Sequence, residues 1–313
     1  VSRYLRQLFG DGDDGDVTIS SNTTLTADMY YNNLTINSGY TLNTGGYRIF
    51  VKETLTNNGT IQRDGNTGSN GDDGYEHNGG APGGAGGVAL ANGTLYGGLV
   101  GGAGGGSTSF NVIQTGFDGN NQTESYSSNG EAGGAGGDGR GSNGKAGGAG
   151  GTATQTIQPV RCVTFAQIMR EFSTANVIKY IKTSAGSGGG GAGGDGGTWD
   201  KGGNGGGAGG SGGIILICAH TIINNSGKII SAKGGDGGDG GNANTGSTMD
   251  GGGGGGGAGG SGGIICLIYN SFTNAGTISV AGGTGGAFGT SVYHDNGVAG
   301  TAGITGKIIQ LEV

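Results

Sequence analysis

The chain has 313 residues, of which 86 are glycine, 2 are proline and 3 are cysteine, and its formal net charge is −7. Scarce proline and a GGxGGxGG doublet pattern exclude collagen, which needs glycine at every third position with abundant proline. The acidic balance, without any Lys/Arg cluster, excludes nucleic acid and anionic membranes as partners, and no apolar run approaches the ~20 residues of a membrane span.

Residues 1–16 read as an N-terminal arm followed by an acidic turn. VSRYLRQLFG is mildly amphipathic and suits an arm that docks on a neighbouring subunit or frays; the opening at Val1, without Met, suits a processed or truncated chain. DGDDGD then sets Asp11, Asp13, Asp14 and Asp16 in a glycine-loosened turn. Carboxylates two apart in a loop resemble a calcium loop, so calcium is the one cofactor the sequence allows. The closing Glu of an EF-hand is absent, and a solvated turn is the preferred reading.

Residues 17–61 form a first β-repeat of short alternating segments with Asn/Gly corners. Leu34 and Ile36 share one face, as do Ile49 and Val51, with polar neighbours mostly outward. The stretch 47–61 overlays 214–229, with Tyr47 on Ile214, Thr54 on Thr221 and Asn57-Asn58 on Asn224-Asn225, and one extra residue in the second turn. A third copy, 264–278, keeps Asn274 and Gly276, and 306–313 resembles the opening strand of a fourth. Repeats of this kind predict an all-β fold of β-solenoid-like or layered sheet units with long polyglycine II-type insertions. The bare strand Lys307 to Val313 has no visible cap and is expected to be covered by another chain.

The divisions that follow are 1–16, 17–61, a glycine-rich insertion over 62–213, and the second and third repeats over 214–313. Inside the insertion, 89–97 and 107–117 each suit a short strand. The stretch 156–184 suits a small packing element, with a helix over 165–172 and a strand over 176–182. The glycine tracts are expected to be ordered as extended threefold helices, since a buried backbone cannot leave its donors and acceptors unpaired. Doublet glycines then face inward, and the third residue (Ala258, Ser261, Asp236, Asp239, Asp195) faces outward.

His77, His220 and His294 are the only histidines. Tyr75-Glu76-His77 and Tyr293-His294-Asp295 are aromatic/acid/His triplets, but neighbours on an extended loop diverge and build no base–orienter pair. His220 falls in an outward column with Glu53 and Asn270. Cys162, Cys218 and Cys266 are too scattered for a disulfide scaffold. No zinc spacing, phosphate loop or nucleophile elbow occurs, so the chain reads as no enzyme. Glycosylation sequons stand at Asn22, Asn33, Asn58, Asn92, Asn121 and Asn224.

The stretches 9–61, 209–235 (GGSGGIILICAHTIINNSGKIISAKGG) and 259–283 (GGSGGIICLIYNSFTNAGTISVAGG) resemble glycine-rich tail-fibre and adhesin-type virion proteins and related microbial surface proteins. The resemblance implies a non-enzymatic virion or cell-surface protein with layered glycine helices, whose loops contact a host glycan or surface protein. Candidate loops are 65–78, 117–130, 241–250 and 287–297, with Tyr75, His77, Asn120, Tyr126, Tyr293 and His294 as candidate receptor contacts. The alternative is a self-assembling subunit of a capsid, sheath or extracellular filament, whose partners are copies of itself.

Overall fold

The computed structural model describes residues 8–74, 82–95, 97–106, 202–243, 251–292 and 294–313, and the backbone of Gln122–Thr123 and Ala153–Thr154. The strands are β1 (Asp16–Ile19), β2 (Thr23–Thr24), β3 (Met29–Tyr31), β4 (Asn33–Ile36), β5 (Thr41–Asn43), β6 (Ile49–Asn57) and β7 (Thr60–Gln62). They continue with β8 (Gln122–Thr123), β9 (Ala153–Thr154), β10 (Ile214–Asn224), β11 (Ile229–Ser231), β12 (Ile264–Asn274), β13 (Thr277–Ser279) and β14 (Lys307–Glu312). A seven-stranded sheet runs β1-β4-β6-β10-β12-β14, with β3 also on β6; a five-stranded sheet runs β13-β11-β7-β5-β2; β8 pairs β9. Every pairing is parallel.

The chain therefore alternates between the two large sheets, row upon row: β6 to β7, β10 to β11, β12 to β13. Short corners make this possible. Asn225-Ser226-Gly227-Lys228 turns with the Lys228 N–H on Asn225 O at 3.1 Å and Gly227 at φ 71°, a conformation that favours glycine.

One apolar cluster gathers side chains from both large sheets, among them Leu34, Ile36, Leu42, Ile49, Val51, Leu55, Ile61, Ile217, Ile230 and Leu267. A second lies on the other face of the seven-stranded sheet and contains Phe9, Phe50, Leu95, Ile214, Leu216, Cys218, Cys266 and Ile268. That sheet is thus covered on both faces, which explains the continuous runs IILICA and IICLI; parallel sheets buried on two sides carry no polar alternation. Between Ile49 and Val51, Phe50 joins this second cluster and is 8% exposed. Leu8 and Phe9 belong to the same layer, so the end of the arm docks on its own chain; residues 1–7 lie outside the described residues.

The expected register of the repeats holds at Thr54/Thr221 and Asn57/Asn224. At the start it is corrected: Ile49 pairs Ile217, which puts Tyr47 one place beyond Ile214, and an irregularity between Ala219 and Thr221 absorbs the difference. The second turn carries two extra residues and not the one expected, since Asn57 to Thr60 spans three positions and Asn224 to Ile229 spans five. β14 pairs β12 in the register of a fourth copy, Ile264 on Lys307 through Tyr269 on Glu312. The expected strand over 89–97 is absent among its described residues, which form bends around the buried Leu95. The elements expected over 107–117 and 156–184 lie outside the described residues.

A column of asparagines ties the rows together at their corners. Asn57 Nδ2 donates to Asn224 Oδ1 at 2.8 Å, and Asn224 Nδ2 donates to Asn274 Oδ1 at 2.8 Å, with Asn57 and Asn224 fully buried. Buried amides of this kind are tolerated because each finds a partner in the neighbouring row.

Candidate functional site

Beyond the strands, glycine-rich tracts run away from the sheets over 63–74, 97–106, 233–243 and 281–291, and back towards them over 82–90, 202–213, 251–263 and 295–306. Their directions follow from their hydrogen bonds. In the central tract 202–213, consecutive N–H groups rotate among three neighbours. Gly206 donates to Gly255 O at 2.9 Å, Gly207 to Ser69 O at 2.9 Å and Ala208 to Gly102 O at 2.8 Å. Gly209, Gly210 and Ser211 then repeat the cycle on Ala258, Asn66 and Leu99. Every residue of this tract is buried. The doublet glycines leave no space for a side chain: a Cβ on Gly207 would lie inside 3.0 Å of Ala85 O, and one on Gly260 inside 3.0 Å of Gly210 O.

The third residue of each triplet does not always face outward. Ala258 is 0% and Ser261 1% exposed, because 251–263 is itself enclosed by other tracts. Asp236 and Asp239 are exposed as expected, yet they are also structural acceptors. Asp236 Oδ1 takes the Thr284 N–H at 2.6 Å, Asp239 Oδ1 the Ala287 N–H at 2.7 Å, and Asn242 Oδ1 the Thr290 N–H at 2.9 Å. Asp64, Asn70 and Asp73 serve the N–H groups of Lys233, Asp239 and Asn242 in the same way. Sequence reasoning missed this ladder and read 65–78 as a loop; the signal was glycine at 65, 68, 71 and 74, the triplet spacing of the other tracts. Residues 65–74, 241–243 and 287–290 are tract, and only the remaining described part of 287–297 contains a turn.

The tract ends lie level at the end remote from the sheets. Gly74 donates to Asn242 O, Asn204 to Asp72 O, Gly203 to Gly252 O, Gly253 to Asp295 O and Ala243 to Thr290 O. The described turn at this end is closed by Ser291 N–H on Asn296 Oδ1 at 2.8 Å and His294 N–H on Ser291 Oγ at 3.1 Å. His294 is half-buried, and its Nε2 is buried without a hydrogen-bond partner, so the ring does not offer that atom to a receptor. The exposed groups here include the apolar Val292, 63% exposed, and Phe288, 43% exposed, among polar ones such as Asp72, Asn242, Asp295 and Asn296. Tyr75, His77, Asn120, Tyr126 and Tyr293 lie outside the described residues.

At the opposite corner, the acidic turn fixes the first row. Asp11 Oδ1 accepts the Asp13 N–H at 3.3 Å, and Asp14 Oδ2 accepts the Tyr30 N–H at 2.6 Å. Asp16 Oδ1 accepts Asn32 Nδ2 at 2.7 Å and Asn33 Nδ2 at 2.9 Å, and these bonds hold its carboxyl below the ordinary value. Among the described residues no three His, Cys, Asp or Glu side chains group as metal ligands. His220 is half-buried rather than solvated, its ring edge-on to Phe9 at 5.7 Å. Burial and the adjacent Cys266 push the Cys218 thiol far above its ordinary value, which suppresses thiolate chemistry. Asn224, a sequon residue, is fully buried and closed to modification.

Comparison with protein-family models, with curated proteins and with solved structures returned no match for the chain.

Proposed function

We propose that the two facing sheets are the turns of a β-solenoid, that the glycine tracts are polyglycine II helices packed as one bundle, and that the protein is a non-enzymatic structural component of a virion or cell surface. The bundle acts as a stiff arm. It carries the connections between outgoing and returning tracts at its far end, where they meet a host glycan or surface protein. The observation behind this reading is the out-and-back hydrogen-bond register, which brings every described tract end at the far side to one level. Extended threefold helices rise about 3.1 Å per residue, so a tract of a dozen residues carries that end some tens of ångströms from the sheets. Exposed Phe288 and Val292 then supply an apolar contact in a polar surround.

Two measurements test the reading. Hydrogen exchange is expected to protect 203–213, 234–243 and 251–263 as strongly as β10; free exchange there would remove the bundle. A Phe288→Ser/Val292→Ser variant is expected to melt with the wild type while losing binding to immobilised glycans and intact cells. Equal binding by both proteins, or none by the wild type, would overturn the contact role.

A further inference from the structure

We propose that the tract 295–306 is a stop layer: its side chains close the bundle against any further glycine tract, including one from a second copy of this chain. The inference rests on the polyglycine reading and extends it to assembly. Within a triplet the two glycines do different work. In 251–263 the second glycine of each doublet approaches an earlier tract, as Gly257 approaches Gly207 O and Gly260 approaches Gly210 O. The first approaches a later one, as Gly256 approaches Gly286 O and Gly259 approaches Gly283 O.

The tract 295–306 follows 251–263 in parallel, with Gly256 donating to Val298 O and Gly259 to Thr301 O. Its second positions are still glycine: Gly300 approaches Gly257 O and Gly303 approaches Gly260 O. Its first positions are Asn296, Ala299, Ala302 and Thr305, all exposed. Each carries a Cβ where the interior tract has none, on the face that a next tract would have to approach. The first outgoing tract shows the converse. Its first positions, Gly65, Gly68 and Gly71, remain glycine where later tracts pack, while its second positions are the exposed Asn66, Ser69 and Asp72. Glycine is thus kept only on the sides that another tract covers, and lateral growth through the glycine lattice ends at 295–306. Assemblies of the protein have to use other surfaces.

The probe is a labelled peptide of residues 251–263, titrated onto the wild type and onto the variant Asn296→Gly/Ala299→Gly/Ala302→Gly/Thr305→Gly. The variant is expected to bind it about tenfold or more tightly than the wild type and to self-associate in sedimentation. Equal binding overturns the proposal. A reciprocal pair covers failure of the fourfold variant to fold. Gly259→Ala is expected to lower Tm by roughly 2–5 °C, and Ala302→Val, at the same triplet position of the next returning tract, to leave it nearly unchanged. Equal losses for both would overturn the stop layer. A harmless Gly259→Ala would instead overturn the lattice beneath it.

Discussion

Asn224 is the residue whose loss should separate this fold from an ordinary stack of apolar strands. Asn224→Ala removes the bond from Asn57 Nδ2 at 2.8 Å and the bond to Asn274 Oδ1 at 2.8 Å. Asn57 is fully buried; its Oδ1 still accepts the Gly59 N–H, but its Nδ2 keeps only the Ile229 carbonyl, at 3.1 Å. Two hydrogen bonds at about 1 kcal/mol net each, and about 1 kcal/mol more for a buried amide left half-satisfied, sum to about 3 kcal/mol. For a chain of this size that is a fall in Tm of roughly 5 °C, read by calorimetry or thermal circular dichroism. The internal control is Asn225→Ala, which breaks only the half-buried pair with Asn58 at 2.7 Å and should cost under about 1 kcal/mol. A double-mutant cycle between Asn57→Ala and Asn224→Ala should leave a coupling of about 1 kcal/mol or more. If Asn224→Ala costs no more than Asn225→Ala, the column is decoration and the rows are held by apolar burial alone.

Burial, with Asp14 nearby, pushes the Tyr31 phenol up to about 12, above its ordinary value of 10.0. The folded state therefore holds that proton more tightly than the unfolded one. Its contribution is complete below pH 10, falls as pH rises towards 12, and amounts to at most about 3 kcal/mol. Alkaline titration of stability should show this loss, and Tyr31→Phe should flatten it; an unchanged profile would show that Tyr31 is not the group responsible. Chelator should leave Tm and sedimentation unaltered, because the carboxylates of Asp14 and Asp16 are engaged by Tyr30, Asn32 and Asn33. A drop in Tm with chelator that calcium restores would assign the acidic turn a metal.

The repeat was legible in the sequence wherever a polar residue marked a fixed place in a row. Asn57, Asn224 and Asn274 aligned correctly because each sits at a corner where its amide bonds the amide of the neighbouring row. The start of the alignment slipped because apolar residues in a strand buried on both faces are interchangeable, and IILICA offers no phase. The outward placement of Ala258 and Ser261 failed for a different reason. A triplet pattern gives the angular position of a side chain about its own tract, but not whether a further tract lies on that side. Asn70 and Asp73 were read as loop residues because their acceptor role depends on N–H groups about 169 positions away. At the far end, Phe288 and Val292 stand out only once the tracts are laid side by side; the tyrosines and histidines drew attention instead because their chemistry is visible one residue at a time.

The rotation of donors along 202–213 has a consequence for how such a chain can change length. A tract that meets the same three neighbours every third residue would regain nearly all its hydrogen bonds after sliding by one triplet. If the tracts are the proposed polyglycine II helices, the bundle alone fits nearly as well at several offsets spaced by about 9.3 Å. The offset is chosen elsewhere, by strands such as β10 and β12, which tie the inner ends of 202–213 and 251–263 to fixed rows. Inserting or deleting three residues in an outgoing tract and three in its return would lengthen or shorten the arm by one step while every remaining glycine kept its environment. One or two residues would turn side chains into the lattice. The arm is in effect ruled in triplets, with its zero mark in the sheets.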